Sequence, residues 1–200
     1  MGHIRLQIQI AGAPRTGKTT LARNIQKRLQ ELEHRCVVVD VDETRTRVFR
    51  NDEPPLGSQL QKLMQSWTYN AVFGLRIPDI LAGGGVPIFA ATHAHPESYG
   101  RAESVARDMN SELRFIILET TTFEEMARRC RDDGESHSDM HDPVAHPAER
   151  ENWEDISSRI RSAYGPDFKK PCLRLTQGTP EEMAETTLRY ILSTNVDKQL

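Results

Sequence analysis

The sequence is short of cysteine, of aromatic residues and of long apolar runs, and each shortage narrows the class of protein. Three cysteines, Cys36, Cys130 and Cys172, stand far apart in 200 residues. Their number is odd and no C-x-x-C pair occurs, which argues against a disulfide scaffold or a thiolate metal site and for a reducing, cytoplasmic setting. No apolar stretch approaches the roughly 18 residues of a membrane helix. Residues 1–10 alternate polar and apolar side chains and lack a continuous signal-peptide core, so no membrane partner is expected. An excess of one charge is also missing: 26 basic side chains face 29 acidic ones, for a net charge of -3. That balance makes a nucleic-acid partner a lesser expectation than a small molecule. What remains is ordinary globular composition, 37% hydrophobic and 28% charged, suited to one domain over residues 1–200.

The hydrophobic pattern alternates between two periods. Ile4, Leu6, Ile8 and Ile10 recur every second residue and read as a strand; Leu21, Ile25, Leu29 and Leu32 recur at helical spacing. A buried strand is expected over 36–41, and a helical stretch over 57–83 with a kink or break at Pro78. A third strand follows over 86–91, where Pro87 suggests a strand start and not a central ladder position. A helix is expected over 96–109, a strand over 113–119, and a helix over 122–130. Residues 131–155 hold nine acidic residues against two arginines, three histidines and two prolines, with almost no apolar period. They read as a mobile loop or lid. A helix from Trp153, a strand over 171–176 and a helix over 180–192, capped by Thr179 with Pro180 behind it, close the chain. Strands alternating with helices imply an α/β fold with a mainly parallel sheet of about five strands and helices on both faces.

Gly12-Ala13-Pro14-Arg15-Thr16-Gly17-Lys18-Thr19, followed by Thr20, fits the phosphate-binding pattern G-x-x-x-x-G-K-[ST]. Glycines allow a tight turn that aims backbone N–H groups at phosphate oxygens. The helix behind the loop adds its positive end. Lys18 reaches the outer phosphates and the Thr19 hydroxyl serves Mg²⁺. A strand before the motif and a helix after it are the context that the motif requires. ATP and Mg²⁺ are therefore the expected ligands. No N/T-K-x-D for guanine and no L-S-G-G-Q is present.

With these residues in place, the chain resembles the P-loop small-molecule kinases: adenylylsulfate (APS) kinase, chloramphenicol phosphotransferase and the polynucleotide 5′-kinase domain. The resemblance implies a P-loop NTPase fold of nucleotide-kinase type and ATP-dependent transfer to a hydroxyl of a small molecule. It also implies roles. Asp42-Glu43-Thr44-Arg45 corresponds to the family's Asp-x-x-Arg, so Asp42 would be the base facing the acceptor hydroxyl and Arg45 an acceptor contact. Arg128, Arg129 and Arg131 stand where the lid arginines start, with Arg129 first by register as an ATP clamp. Ala163-Tyr164-Gly165-Pro166 is similar to the Tyr-Glu-x-Pro of APS kinases, and Gln177-Gly178-Thr179 stands where these kinases contact adenine. After Arg45 the APS kinase pattern is not followed. The alternatives are a polynucleotide 5′-hydroxyl kinase and a non-catalytic, ATP-gated binding protein.

Other clusters carry two readings each. Asp40 is a rival to Asp42, or a partner of Lys18 or Mg²⁺; in a continuing strand the two would share a face. His93-Ala94-His95 follows the third strand and is either an ordinary loop or an acceptor contact. Tyr69 and Phe73 share a helix face, without Trp67, and read as core packing or as a stacking platform. Arg45, Arg47 and Arg50 could receive an anionic acceptor. His137, Asp139, His141, Asp142 and His146 lack the spacing of a zinc site and read as a solvated lid.

Overall fold

Apolar alternation becomes a sheet here because five short runs pair side by side. The computed structural model describes residues 5–49, 58–93, 97–119, 122–125, 128, 147–176 and 178–193. In chain order these form β1 (Leu6–Gly12), α1 (Lys18–Glu31), β2 (Cys36–Asp40), α2 (Val41–Phe49), α3 (Gln59–Ala71), α4 (Ile77–Ala82) and β3 (Val86–Ala91). Then come α5 (Glu97–Asp108), β4 (Glu112–Leu118), α6 (Pro147–Ala163), β5 (Leu173–Leu175) and α7 (Pro180–Leu192). All strands pair in parallel, in the order β2-β3-β1-β4-β5. The chain runs from β1 to the β2 side and returns past β1 to β4. The C-terminal end of β1 is thus the point where the winding reverses, the usual place for a ligand in an open parallel sheet.

One sheet face packs Ile8, Ile10, Ile88 and Ile116 against Leu21, Ile25 and Leu29 of α1 and Ala184 and Ile191 of α7. On the other face, Val39, Phe89 and Ala91 lie against Phe73, Ile77 and Leu81, and Ala11, Phe115 and Ile117 lie against Tyr99, Ile160 and Tyr164. Both faces of β1 are therefore covered. Its alternation does not mark a solvent face: Gln7 and Gln9 are fully buried. Cys36 and Cys172 are free thiols, and burial pushes the Cys36 thiol up to about 11.

Several expectations shift in detail. Pro78 does not break the helical stretch. A π-helical turn over Val72–Arg76 precedes it, where Ile77 N–H bonds to the carbonyl of Val72, five residues back. A proline lacks the N–H and crowds the carbonyl one turn earlier, and a widened turn makes that room. Pro87 does start a strand, but β3 lies inside the sheet; Pro87 pairs with Val37, and the ladder to β1 begins one residue later at Ile88. Trp67 is 66% exposed, while Tyr69 and Phe73 join the core with ring centroids 6.2 Å apart. Residues 147–155, expected as part of the lid, are the first half of α6. Their acids lie on a solvated side, where Arg150 pairs with Glu154 and Arg159 with Asp155 across one turn. Residues 131–146, with the lid histidines, lie outside the described residues. So do 126, 127, 129 and 130 of the helix expected over 122–130, of which 123–125 and 128 are helical.

The closing helix follows its signals. Thr179 Oγ1 accepts from the Glu182 N–H at 3.2 Å, and the Glu182 carboxylate accepts from the Thr179 N–H at 2.8 Å. This reciprocal cap satisfies two donors that the first turn leaves over. Thr179→Ala should lower unfolding free energy by about 1 kcal/mol in a urea titration, and Thr179→Asn should recover most of it.

Candidate nucleotide site

The turn from β1 into α1 is shaped by what its glycines lack. A Cβ on Gly12 would lie 2.8 Å from Thr16 Oγ1 and 3.1 Å from Leu118 Cβ. Gly17 has φ 92 and caps the N-terminus of α1; Arg15 also has positive φ, at 61. Between them the chain folds over itself. Thr16 Oγ1 donates to the carbonyl of Ala13 at 2.9 Å, and Lys18 Nζ donates to the same carbonyl at 2.7 Å. The Lys18 ammonium is thus held against the loop it would serve. No acidic residue stands in the first turn of α1, so the positive end of that helix is not neutralised from within. Thr19 and Thr20 follow in that first turn. Gly12, Ala13, Pro14, Arg15, Thr16, Gly17, Lys18, Thr19 and Thr20 are all brought together here. The set fits a nucleotide polyphosphate: a turn with no room for a Cβ at Gly12, a lysine and a helix end for the anion, and a threonine hydroxyl for a hard cation.

The acceptor side is placed less fully. β2 ends at Asp40 and α2 starts at once, so Asp42 lies in the first turn of α2 and not in a strand or loop. The shared strand face of Asp40 and Asp42 therefore does not exist. Asp40 Oδ1 accepts from the Glu43 N–H at 3.2 Å and its carbonyl accepts from Thr44 Oγ1 at 2.7 Å, so Asp40 serves the start of α2. Arg45 stands one turn after Asp42 in the same helix and is half-buried. Arg129 and Arg131 lie outside the described residues; Arg128 is exposed and pairs with Glu125 at 2.8 Å. Arg50, His95 and Gln177 also lie outside. Among the described residues no group of three or more His, Cys, Asp or Glu side chains could hold a metal.

Sequence reasoning did not foresee the burial of His93. It follows β3, the strand between the P-loop strand and β2, and is 1% exposed with φ 49. Its ring lies 5.0 Å from Phe89, 6.0 Å from Phe115, 6.1 Å from Tyr69 and 6.4 Å from Phe73. Its carbonyl accepts from the Tyr164 hydroxyl at 2.8 Å. Burial, and then the charge of Lys18, push the imidazole down to about 3. The signal in the sequence was the tyrosine before Gly165, whose partner no spacing rule reveals.

A family model described as an AAA domain, AAA_18, matches residues 8–157. The chain belongs to this family. The AAA_18 domain also has the P-loop NTPase fold of nucleotide-kinase type, as its likeness to solved structures shows. APS kinase CysC of Mycobacterium tuberculosis, in complex with AMPPNP and APS, superposes with a TM-score of 0.66 at 17% identity over 96% of this chain and 100% of that one. Kti12 of Chaetomium thermophilum, in complex with ADP-AlF3, gives 0.62 at 17% over 92% and 96%. Shikimate kinase of Acinetobacter baumannii, in complex with shikimate, gives 0.61 at 15% over 97% of each. No curated protein matches the sequence significantly. No described helix is long and apolar enough to cross a membrane.

Two predictions follow from this geometry. Gly12→Ala should weaken Mg-ATP binding at least about tenfold in calorimetry, because the turn must open to admit the methyl group. Gly74→Ala, whose added Cβ meets nothing within 4 Å, should bind like the parent. For His93 the sign is set by its lowered value: below about pH 6.5 the unfolded chain takes up a proton that the folded chain refuses. Its contribution is complete above that pH and falls by about 1.4 kcal/mol per unit as pH drops toward 3. Urea midpoints at pH 7 and pH 5 should therefore separate more for the parent than for His93→Phe.

Proposed function

We propose that this domain is an ATP-dependent phosphotransferase that moves the γ-phosphate of ATP to a hydroxyl of a small molecule. The observation that carries the proposal is the Gly12–Thr19 cradle, with Lys18 and the acid-free end of α1 converging on it, at the sheet edge where Asp42 lies in the first turn of α2. AMPPNP and APS in one structural neighbour, and shikimate in another, fit a fold that takes a nucleotide beside a hydroxyl compound.

In this reading Lys18 leaves the Ala13 carbonyl and moves its ammonium to the β- and γ-phosphates. The loop N–H groups hold the phosphate oxygens in line. Thr19 offers its hydroxyl to Mg²⁺, which supplies charge neutralisation on the phosphates when bound. The Asp42 carboxylate orients the acceptor hydroxyl and takes its proton as the new O–P bond forms and the bond to the β-phosphate oxygen breaks. ADP and a phosphate ester are the products. Arg45 holds the acceptor, and Arg129 closes over ATP and spreads the charge that develops on the phosphoryl group. Residues 131–146 belong to the lid in this scheme. His93 stays neutral beside Lys18 and adds no like charge there. A cytoplasmic location is part of the proposal and rests on the few, widely spaced cysteines.

Asp42→Asn separates the roles. It should lower turnover on the productive acceptor by about two to four orders of magnitude, with ATP affinity changed by less than about threefold. The check is a steady-state assay beside a calorimetric ATP titration. Parallel loss of turnover and ATP binding would remove Asp42 from the role of base.

A further inference from the structure

Central strands of parallel sheets are apolar on both faces, because helices cover them. β1 departs from this rule. Gln7 and Gln9 are both fully buried, on the face that also carries Ala11. Gln7 places its amide N–H₂ on the carbonyl of Ala102 at 3.4 Å, but its Oε1 has no partner. Gln9 has none for either amide atom, and His93 has none for either ring nitrogen. Five buried polar atoms of Gln7, Gln9 and His93 therefore stand without a partner among the described residues.

The position of Gln9 relative to His93 follows from the register. Gln9 pairs with Phe89 on one side and Phe115 on the other. In a parallel ladder, paired residues point to the same face. The His93 ring lies 5.0 Å from Phe89 and 6.0 Å from Phe115, the two rings that flank Gln9. The imidazole is thus set over β1 at Gln9, roofed by Tyr69 and Phe73. A buried amide offers two donors and an acceptor, and a neutral imidazole one donor and one acceptor. Leaving such atoms bare is destabilising. Native interiors satisfy them with protein groups or ordered water. The phenylalanine rings around them supply no strong partner, and His93 itself is held by the Tyr164 bond to its carbonyl and by a positive φ.

We propose that Gln9 and His93 bind an internal water molecule, closed in by Phe89, Phe115, Tyr69 and Phe73, and that this water joins the strand carrying the phosphate loop to the turn after β3. The ligand is one small neutral molecule with two donors and two acceptors, matched to an amide and an imidazole that are both uncharged. The site belongs to the free protein and needs no nucleotide.

Nuclear magnetic resonance on the intact protein tests it directly. The Gln9 side-chain amide hydrogens and the His93 ring N–H should each show a cross-peak to a long-lived water. Absence of both cross-peaks, or a direct bond between the amide and the ring, would overturn the site. A double-mutant cycle gives a second reading. Gln9→Leu and His93→Phe each orphan the remaining partner, whereas the double variant removes both. The folding equilibrium constant of the double variant should exceed that expected from the singles by about tenfold. Additivity to within about twofold would count against a shared water. Should a single variant fail to fold, the resonances of the native protein decide.

Discussion

Everything at the nucleotide end depends on a contact distance at Gly12. The last residue of β1 sits so close to Thr16 and to Leu118 of the neighbouring strand that no side chain fits. That closeness brings the loop back over the strand end. It puts the Ala13 carbonyl within reach of both Thr16 and Lys18, and delivers α1 with its positive end toward the same space. The burial of Ala11 and Ala13 against the helices of the second face has the same origin: only small residues allow α5 and α6 to approach the strand so near the loop. The sheet order then decides what stands beside the loop, because β3 and β4 flank β1 and β2 lies one strand further out.

A consequence is that the centre of the molecule is aromatic and uncharged just below a cationic loop. Phe73, Phe89, Phe115, Tyr69, Tyr99, Tyr164 and Phe168 pack around His93 and one another in edge-to-face and tilted contacts. Such a cluster is stiff, and its quadrupoles favour tilted contacts of this kind. It also keeps the imidazole out of bulk solvent, which is the larger part of why its proton affinity is lowered. A neutral group there suits a site that must concentrate positive charge only where phosphate oxygens arrive.

How much of this the sequence shows differs by region. The phosphate loop, the sheet composition and the Thr179 cap are local: glycine spacing, period and cap chemistry lie within a few residues of one another. The P-loop kinase fold was legible from that loop and its flanking elements. The burial of Gln7 and Gln9 was not, because alternation of glutamine with isoleucine is the usual mark of a strand with one wet face. Only the pairing of β1 with strands on both sides reverses that meaning. Asp42 moved from a strand end to the first turn of a helix because Asp40 offers its carboxylate to the Glu43 N–H and starts α2 early. The acids of residues 149–155 read as a solvated loop, since charges without apolar period look alike whether they coat a helix or a coil. The Tyr164 bond to His93 spans 71 positions and leaves no trace in spacing.

The central claim is that this phosphate loop serves transfer to an organic hydroxyl and not hydrolysis. The most direct measurement is phosphorus magnetic resonance of Mg-ATP turnover in the presence of a panel of hydroxyl compounds: adenylylsulfate, nucleosides, sugars, aminoglycoside- and chloramphenicol-type compounds and a 5′-hydroxyl oligonucleotide. The account predicts ADP together with a new phosphate monoester resonance for a small-molecule member of the panel. Turnover that yields ADP and inorganic phosphate alone, unchanged by every acceptor, would contradict it.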